Sequence, residues 1–186
     1  MNADIDISDV TLMSERCMLR PWKMSDAEDL FAYASDPDVG PMAGWLPHKT
    51  ILESQAIASM FIQEKKTFAI EYEGHVIGSI GIENYDEKLF PQYQDLQCRE
   101  LGFVLSKQYW GRGIMPEAAD RVLFYLFMEK KLDVVFCGYF DWNRQSARVQ
   151  EKLGFHEILR HKSLRPNGKT ETIVSNVMTR KEYLGH

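Results

Sequence analysis

The chain has 186 residues, 45% of them apolar, with 27 acidic against 22 basic side chains and a formal net charge of −5. That length suits one domain with a full core, and the apolar share excludes a disordered chain. The acidic balance excludes broad nucleic-acid binding, which takes a basic face. No stretch is long and apolar enough to cross a bilayer, and residues 1–10 lack the apolar centre of a secretory signal. Cys17, Cys98 and Cys137 are widely spaced and form no CxxC or Cys/His cluster. They read as buried free thiols in a reducing cytoplasm, and no metal site is expected. We therefore expect one domain over 1–186, with 1–10 a flexible or edge segment.

Residues 17–22 read as a first strand. Ser25 and Glu28 have capping-box spacing, and Ala27, Leu30, Phe31 and Ala34 recur at helical intervals until Asp36-Pro37 ends the run. A loop over 38–49 carries Gly40, Pro41, Gly44, Pro47, Trp45 and His48. Thr50 and Glu53 predict a second capping box and a helix to about Lys65, with Ile57, Met60 and Phe61 as its apolar stripe. Alternation predicts strands over 68–72 and 76–82, joined by a Glu73-Gly74 turn. A polar loop follows over 86–97, then a strand over 100–105 with Leu101, Phe103 and Leu105 on one face. A helix over 116–130 opens on proline. The apolar run 134–137 reads as a central strand. Asn143 caps a helix ending at Gly154, and two strands near 155–164 and 171–179 close the chain. The order βααβββαβαββ is α/β on one mixed sheet.

Between the strand over 100–105 and the Pro116 helix lies Gln108-Tyr109-Trp110-Gly111-Arg112-Gly113. Glycines let the backbone approach a ligand, and a helix start offers unpaired N–H groups and a positive dipole end. That combination makes a phosphate site, to which Arg112 adds charge. The run is neither GxxxxGK[ST] nor GxGxxG, which sets aside the common nucleotide folds.

Gln-x-x-Gly-x-Gly between a strand and a helix resembles motif A of the GNAT superfamily of N-acetyltransferases. Leu105 to Ile114, then Asn143-Arg144-Gln145-Ser146, Glu151-Lys152-Leu153-Gly154-Phe155 and Met178 to Tyr183 resemble its RimJ/RimL-type branch, and the element order matches over nearly the whole chain. The resemblance implies a single mixed twisted sheet of about seven strands with helices on both faces, and acetyl-CoA as co-substrate. It implies that pantetheine pairs with Phe103, Val104 and Leu105, and that the pyrophosphate meets Gln108 and the backbone N–H groups of Gly111, Arg112, Gly113, Ile114 and Met115. Asn143 and Ser146 would also meet the cofactor, Asn143 serving as a helix cap as well.

Amine acetylation needs a base for the ammonium, donors for the tetrahedral oxyanion and a proton donor for the thiolate. Glu100, at the start of the strand that would carry the thioester, is the first candidate base. Glu83 is the second and His48 the third. Many relatives place a tyrosine acid where this chain has Gln150, which has no acidic proton. Ser146 matches the serine proposed as donor in the RimJ/RimL-type branch. Trp45, His48, Glu83 and Tyr93 are expected to line the acceptor side, where Glu83 could hold a cationic amine; the alternative for Trp45 is packing beneath its own loop. The partner is an amine: a protein N-terminal α-amine or, alternatively, a small amine such as an antibiotic or polyamine. A catalytically silent acetyl-CoA-binding protein is a further alternative. No nucleic acid or membrane partner is expected, and the chain is expected to be a monomer or homodimer.

Overall fold

A computed structural model describes residues 1–165 and 168–185. Its strands are β1 (Leu12–Met13), β2 (Met18–Pro21), β3 (Thr67–Tyr72), β4 (His75–Glu83), β5 (Cys98–Leu105), β6 (Val134–Phe140), β7 (His156–Leu164) and β8 (Thr170–Thr179). The helices are α1 (Ala27–Ala34), α2 (Gly40–Ala43), α3 (Ile51–Glu64), α4 (Ile114–Phe124), α5 (Arg144–Leu153) and α6 (Arg180–Leu184). The eight strands form one mixed sheet in the order β1-β2-β3-β4-β5-β6-β8-β7. Without the short β1, α2 and α6, the element order is the one expected from sequence. The eighth strand is β1, which pairs with β2 through only Leu12↔Leu19 and Met13↔Met18. So short a strand shows no alternation to read.

Contacts divide the chain into two compact units. One comprises Ile5–Ile82 and Phe103–Arg121; the other comprises Met1–Asp4, Glu83–Gly102 and the chain from Val122 on.

In the first unit β2, β3 and β4 are antiparallel, with Leu19 opposite Ile70 and Phe68 opposite Ile80. Trp22, Leu30, Tyr33, Ala34, Val39 and Ala58 lie in its buried core. The box expected at Ser25 and Glu28 does not form. Met24–Asp26 is a 3-10 turn, and the Asp26 carboxylate accepts the Lys23 N–H at 2.8 Å. Arg20 explains the change. It is 8% exposed, grips Asp26 at 2.8 and 2.9 Å, and reaches Glu71 at 2.6 Å. An unpaired buried guanidinium would cost about 3–5 kcal/mol, more than the ~1 kcal/mol of a cap. Pairing Arg20 therefore decides where the helix starts.

The box at Thr50 and Glu53 does form, and α3 ends as Lys65 turns left-handed at φ 55°. Its inner face is Ser54 and Ala58 with Ile51, Ile57 and Phe61 packed alongside, whereas Met60 faces outward. Helical spacing explains this: 51, 54, 57, 58 and 61 share a stripe that 60 leaves.

In the second unit β5 runs parallel to β6, from Cys98 opposite Val134 to Leu101 opposite Cys137. The ladder ends there although both strands run on. β6 continues against β8 to Phe140 opposite Ile173, and β7 pairs outside β8. β5 starts two residues before the expected position because the N-terminal segment extends it. Cys98 N–H donates to Met1 O at 3.0 Å, and Ala3 N–H donates to Cys98 O at 3.1 Å. Ala3 is buried, as are Ile5 and Ile7 in the first unit. Helix α4 begins two residues before Pro116, so the proline sits where its missing N–H is not yet needed. Its last turn, Tyr125–Glu129, is π-wound rather than a continuation of the α-helix.

Candidate active site

In the first unit Lys107–Tyr109 is a 3-10 turn, and Gly111 and Gly113 both take φ near +75°. That left-handed backbone suits glycine, and any other residue there would be strained. Among the described residues, nothing accepts a hydrogen bond from the N–H groups of Gly111 to Met115. Five consecutive donors thus open at the start of an 11-residue helix, a geometry built for an anion. Gln108, Gly111 and Arg112 are exposed, while Ile114 and Met115 are buried through their side chains. The Arg112 guanidinium lies 5.3 Å from the Tyr109 ring centre.

A clamp that the sequence does not announce braces this turn. Arg16 donates to the Arg112 carbonyl at 3.0 Å and to Glu117 at 2.6 Å, and Ser14 donates to the same carboxylate at 2.6 Å. Arg16 is about a hundred positions away in the chain and no local pattern points to it. Nearby, Trp110 donates its indole N–H to Leu105 O at 2.8 Å, fixing the end of β5. A Cβ on Gly78 would meet Val104 O at 2.4 Å, so β4 lies against β5 with no room for a side chain. Phe103 and Val104 are half-buried and Leu105 is buried.

In the second unit Glu100 is half-buried. Burial, then the charges of Glu83 and Asp86, raise its carboxyl from the ordinary range to about 7. The position a Cβ on Gly138 would take lies 3.5 Å from Glu100 Oε1. Cys137, on the same strand, is fully buried, and its thiol is pushed up by that burial and by Glu100. Glu83 is thus brought to Glu100 as a charge.

Asn143 caps α5, its Oδ1 accepting the Ser146 N–H at 3.1 Å. Ser146 is half-buried. Its hydroxyl meets a residue set aside earlier for lacking an acidic proton. Gln150 is fully buried; its Nε2 donates to Ser146 Oγ at 3.2 Å and to Gly138 O at 3.2 Å, and its Oε1 accepts from Asn176 at 2.9 Å.

The remaining acceptor-side residues lie in two places. Trp45 packs on the core of the first unit and presses on Gly40, where a Cβ would meet its ring at 2.7 Å. His48 is 5.4 Å from that ring, bonds Ser54 at 2.8 Å, and is held below its ordinary pKa by burial. Tyr93, in the second unit, packs edge-on against Phe136 at 5.1 Å within an aromatic cluster that includes Tyr85 and Phe90. Both aromatics spend much of their surface on packing. Among the described residues no His, Cys, Asp and Glu group could hold a metal, and no helix is long and apolar enough to cross a membrane.

The model of the acetyltransferase (GNAT) domain family matches residues 16–156. A GNAT-family acetyltransferase from Bacillus anthracis has a TM-score of 0.82 at 24% identity, covering 93% of this chain and 100% of the other. Mycobacterium smegmatis RimJ in complex with CoA-disulfide has a TM-score of 0.75 at 20% identity, covering 93% and 88%. The ribosomal-protein-S5-alanine acetyltransferase of Vibrio fischeri has a TM-score of 0.70 at 22% identity, covering 94% and 99%.

Proposed function

The chain belongs to the GNAT acetyltransferase family and is an N-acetyltransferase, and from that premise we propose that it moves the acetyl group of acetyl-CoA onto the N-terminal α-amine of a protein or peptide. The observation that carries the acceptor class is Glu100, a half-buried carboxyl beside Glu83 that is pushed up to about 7. An α-ammonium, at about 7.7–8.0, gives up its proton to such a base nearly without cost, whereas a lysine ammonium near 10.4 does not. The ribosomal-protein-S5-alanine acetyltransferase among the structural neighbours supports a protein acceptor.

The roles follow from the chemistry. The N–H groups of Gly111 to Met115, with Arg112 and Gln108 beside them, hold the pyrophosphate. The backbone of Phe103, Val104 and Leu105 takes the pantetheine arm and offers an N–H to the oxyanion. Asn143 reaches the pantetheine. Glu100 accepts the ammonium proton directly or through water, with Glu83 holding the incoming cation, and the nitrogen's second proton passes to solvent as the amide forms. Trp45, His48 and Tyr93 border the acceptor. As the amide C–N bond forms and the C–S bond breaks, the electron pair leaves on sulfur and the Ser146 hydroxyl donates to it. We also propose that 1–186 acts as one acetyltransferase domain, since the family match runs through both units. We place it in the cytoplasm, as a monomer or homodimer. The three buried free cysteines fit that compartment.

The test is thiol release from acetyl-CoA with three acceptor sets: free N-terminal peptides, N-blocked lysine peptides, and small polyamines or aminoglycosides. The highest kcat/KM is expected with free N-terminal peptides. Faster turnover of a small amine would overturn the acceptor class, and acetyl-CoA binding without turnover on any set would overturn catalysis.

A further inference from the structure

Gln150 is a fully buried carboxamide of the second unit that joins three elements: its own helix α5, strand β6 and strand β8. Its orientation is dictated step by step. The Gly138 carbonyl can only accept, so the atom facing it at 3.2 Å must be Nε2. Oε1 then faces Asn176, which must present its NH2, as it does at 2.9 Å. The second Nε2 hydrogen goes to Ser146 Oγ at 3.2 Å. A carboxamide nitrogen cannot accept, so the Ser146 oxygen is compelled to accept there. Its own hydrogen must go elsewhere.

Asn176 is 6% exposed, and among the described residues its Oδ1 has no hydrogen-bond partner. Turning Asn176 over to relieve that atom would set Oδ1 against Gln150 Oε1. The orientation of both carboxamides is thereby fixed.

We infer that Gln150 is a positioning residue for the acetyl transfer: its locked carboxamide occupies one lone pair of Ser146 Oγ and so aims the Ser146 O–H outward as a hydrogen-bond donor to the departing CoA sulfur. This rests on the reading of Ser146 as donor given above. A serine hydroxyl is a far weaker acid than a thiol, so the step is hydrogen-bond stabilisation of the thiolate, not full proton transfer. The ammonium proton goes to Glu100, the C–N bond forms, the nitrogen's second proton passes to solvent, the C–S bond breaks and the electron pair resides on sulfur. The glutamine thereby supplies through a neighbour what it has no proton to supply itself.

The test is steady-state kinetics with acetyl-CoA and the best acceptor for Ser146→Ala, Gln150→Met, Gln150→Glu and the double variant Ser146→Ala/Gln150→Met, with melting curves alongside. Gln150→Met is expected to lower kcat about tenfold, the worth of one neutral hydrogen bond, with KM for acetyl-CoA within about twofold. The double variant should be no slower than Ser146→Ala alone, since the two act as one unit. Gln150→Glu keeps the size and the Asn176 contact but introduces an acceptor that draws the serine proton inward, so it should be slower than Gln150→Met above the carboxyl's pKa. Full kcat in Gln150→Met, or losses that add in the double variant, would overturn the inference while leaving Ser146 in place. Full kcat in Ser146→Ala would instead sink the reading beneath it. Should Gln150→Met not fold, the Gln150→Glu pH profile decides: turnover recovering on acidification relative to wild type supports the inference, and a parallel profile overturns it.

Discussion

The anion turn and the Glu100–Ser146 cluster hold their working atoms by opposite means. The turn is made of backbone: five N–H groups, two left-handed glycines and a helix start, with few side chains needed. The cluster is made of side chains: Glu100 is raised by desolvation and by Glu83, and Ser146 is held by Gln150, which Asn176 holds in turn. A substitution should therefore act differently in each place. A backbone site loses affinity when its shape is strained. A side-chain site loses rate, and its losses depend on pH.

The largest expected effect is on the cluster. Glu100→Gln should lower kcat by about 10²–10⁴ with the acetyl-CoA Kd unchanged, measured by thiol release and calorimetry. The wild-type rate should rise with pH through about 7 as the carboxyl ionises, in the presence of the facing Glu83, Asp86 and Cys137. The limb near 7 should vanish in the variant, leaving only the amine's own titration at about 7.7–8.0, and a persistent limb near 7 would move the base elsewhere.

The same substitution carries a stability signature. Because the folded carboxyl titrates near 7 instead of 4.5, its contribution is fully present below 4.5 and is lost as pH rises through 7. Glu100→Gln should therefore gain on the wild type between pH 5 and 8, by on the order of 3 kcal/mol at the upper end. Urea melts at the two pH values read this directly, and an equal gap at both would contradict the burial of the charge.

On the turn, Gly111→Ala should push the free backbone out of its left-handed form to escape ~1–2 kcal/mol of strain, and restoring that form on binding should raise the acetyl-CoA Kd about tenfold, with kcat at saturation little changed. Space is no obstacle, since nothing lies within 4 Å of a Cβ there. The smallest effect is expected for Arg112→Ala. An exposed charge is worth ~0–1 kcal/mol, so Kd should rise a few-fold and the rise should fade in high salt. A loss of rate rather than affinity in either variant would erase the distinction between the two regions.

The two regions also differ in how far they can be read from sequence. The turn is a contiguous motif between a strand and a helix, and Gln108 to Gly113 are where reading placed them. Asn143 as a cap and Thr50 with Glu53 as a box are local in the same sense. Arg20, Arg16 and Gln150 are not. Arg20 displaces the Ser25–Glu28 box because it must pair with Asp26 and Glu71, and Glu71 lies 51 residues away. Arg16 reaches Glu117 across 101 positions. Gln150, notable in sequence only for what it replaces, gains its meaning from Gly138 and Asn176, which no spacing rule links to it. Trp45, expected to line the acceptor side or to pack beneath its own loop, packs on Gly40 and the core.

The Arg16 clamp bears on the thermodynamics of cofactor capture. A glycine turn left to itself would wander among many conformers, and a ligand would have to arrest it. Here the Arg112 carbonyl and the first turn of α4 are tied to one guanidinium, itself held by Ser14's partner Glu117. The conformational entropy of the turn is thus surrendered once, during folding, and not again at each encounter with acetyl-CoA. Arg16→Ala should leave every donor in the sequence yet make calorimetric binding more exothermic to no benefit, its enthalpy consumed in ordering a loop that the native protein keeps ordered already.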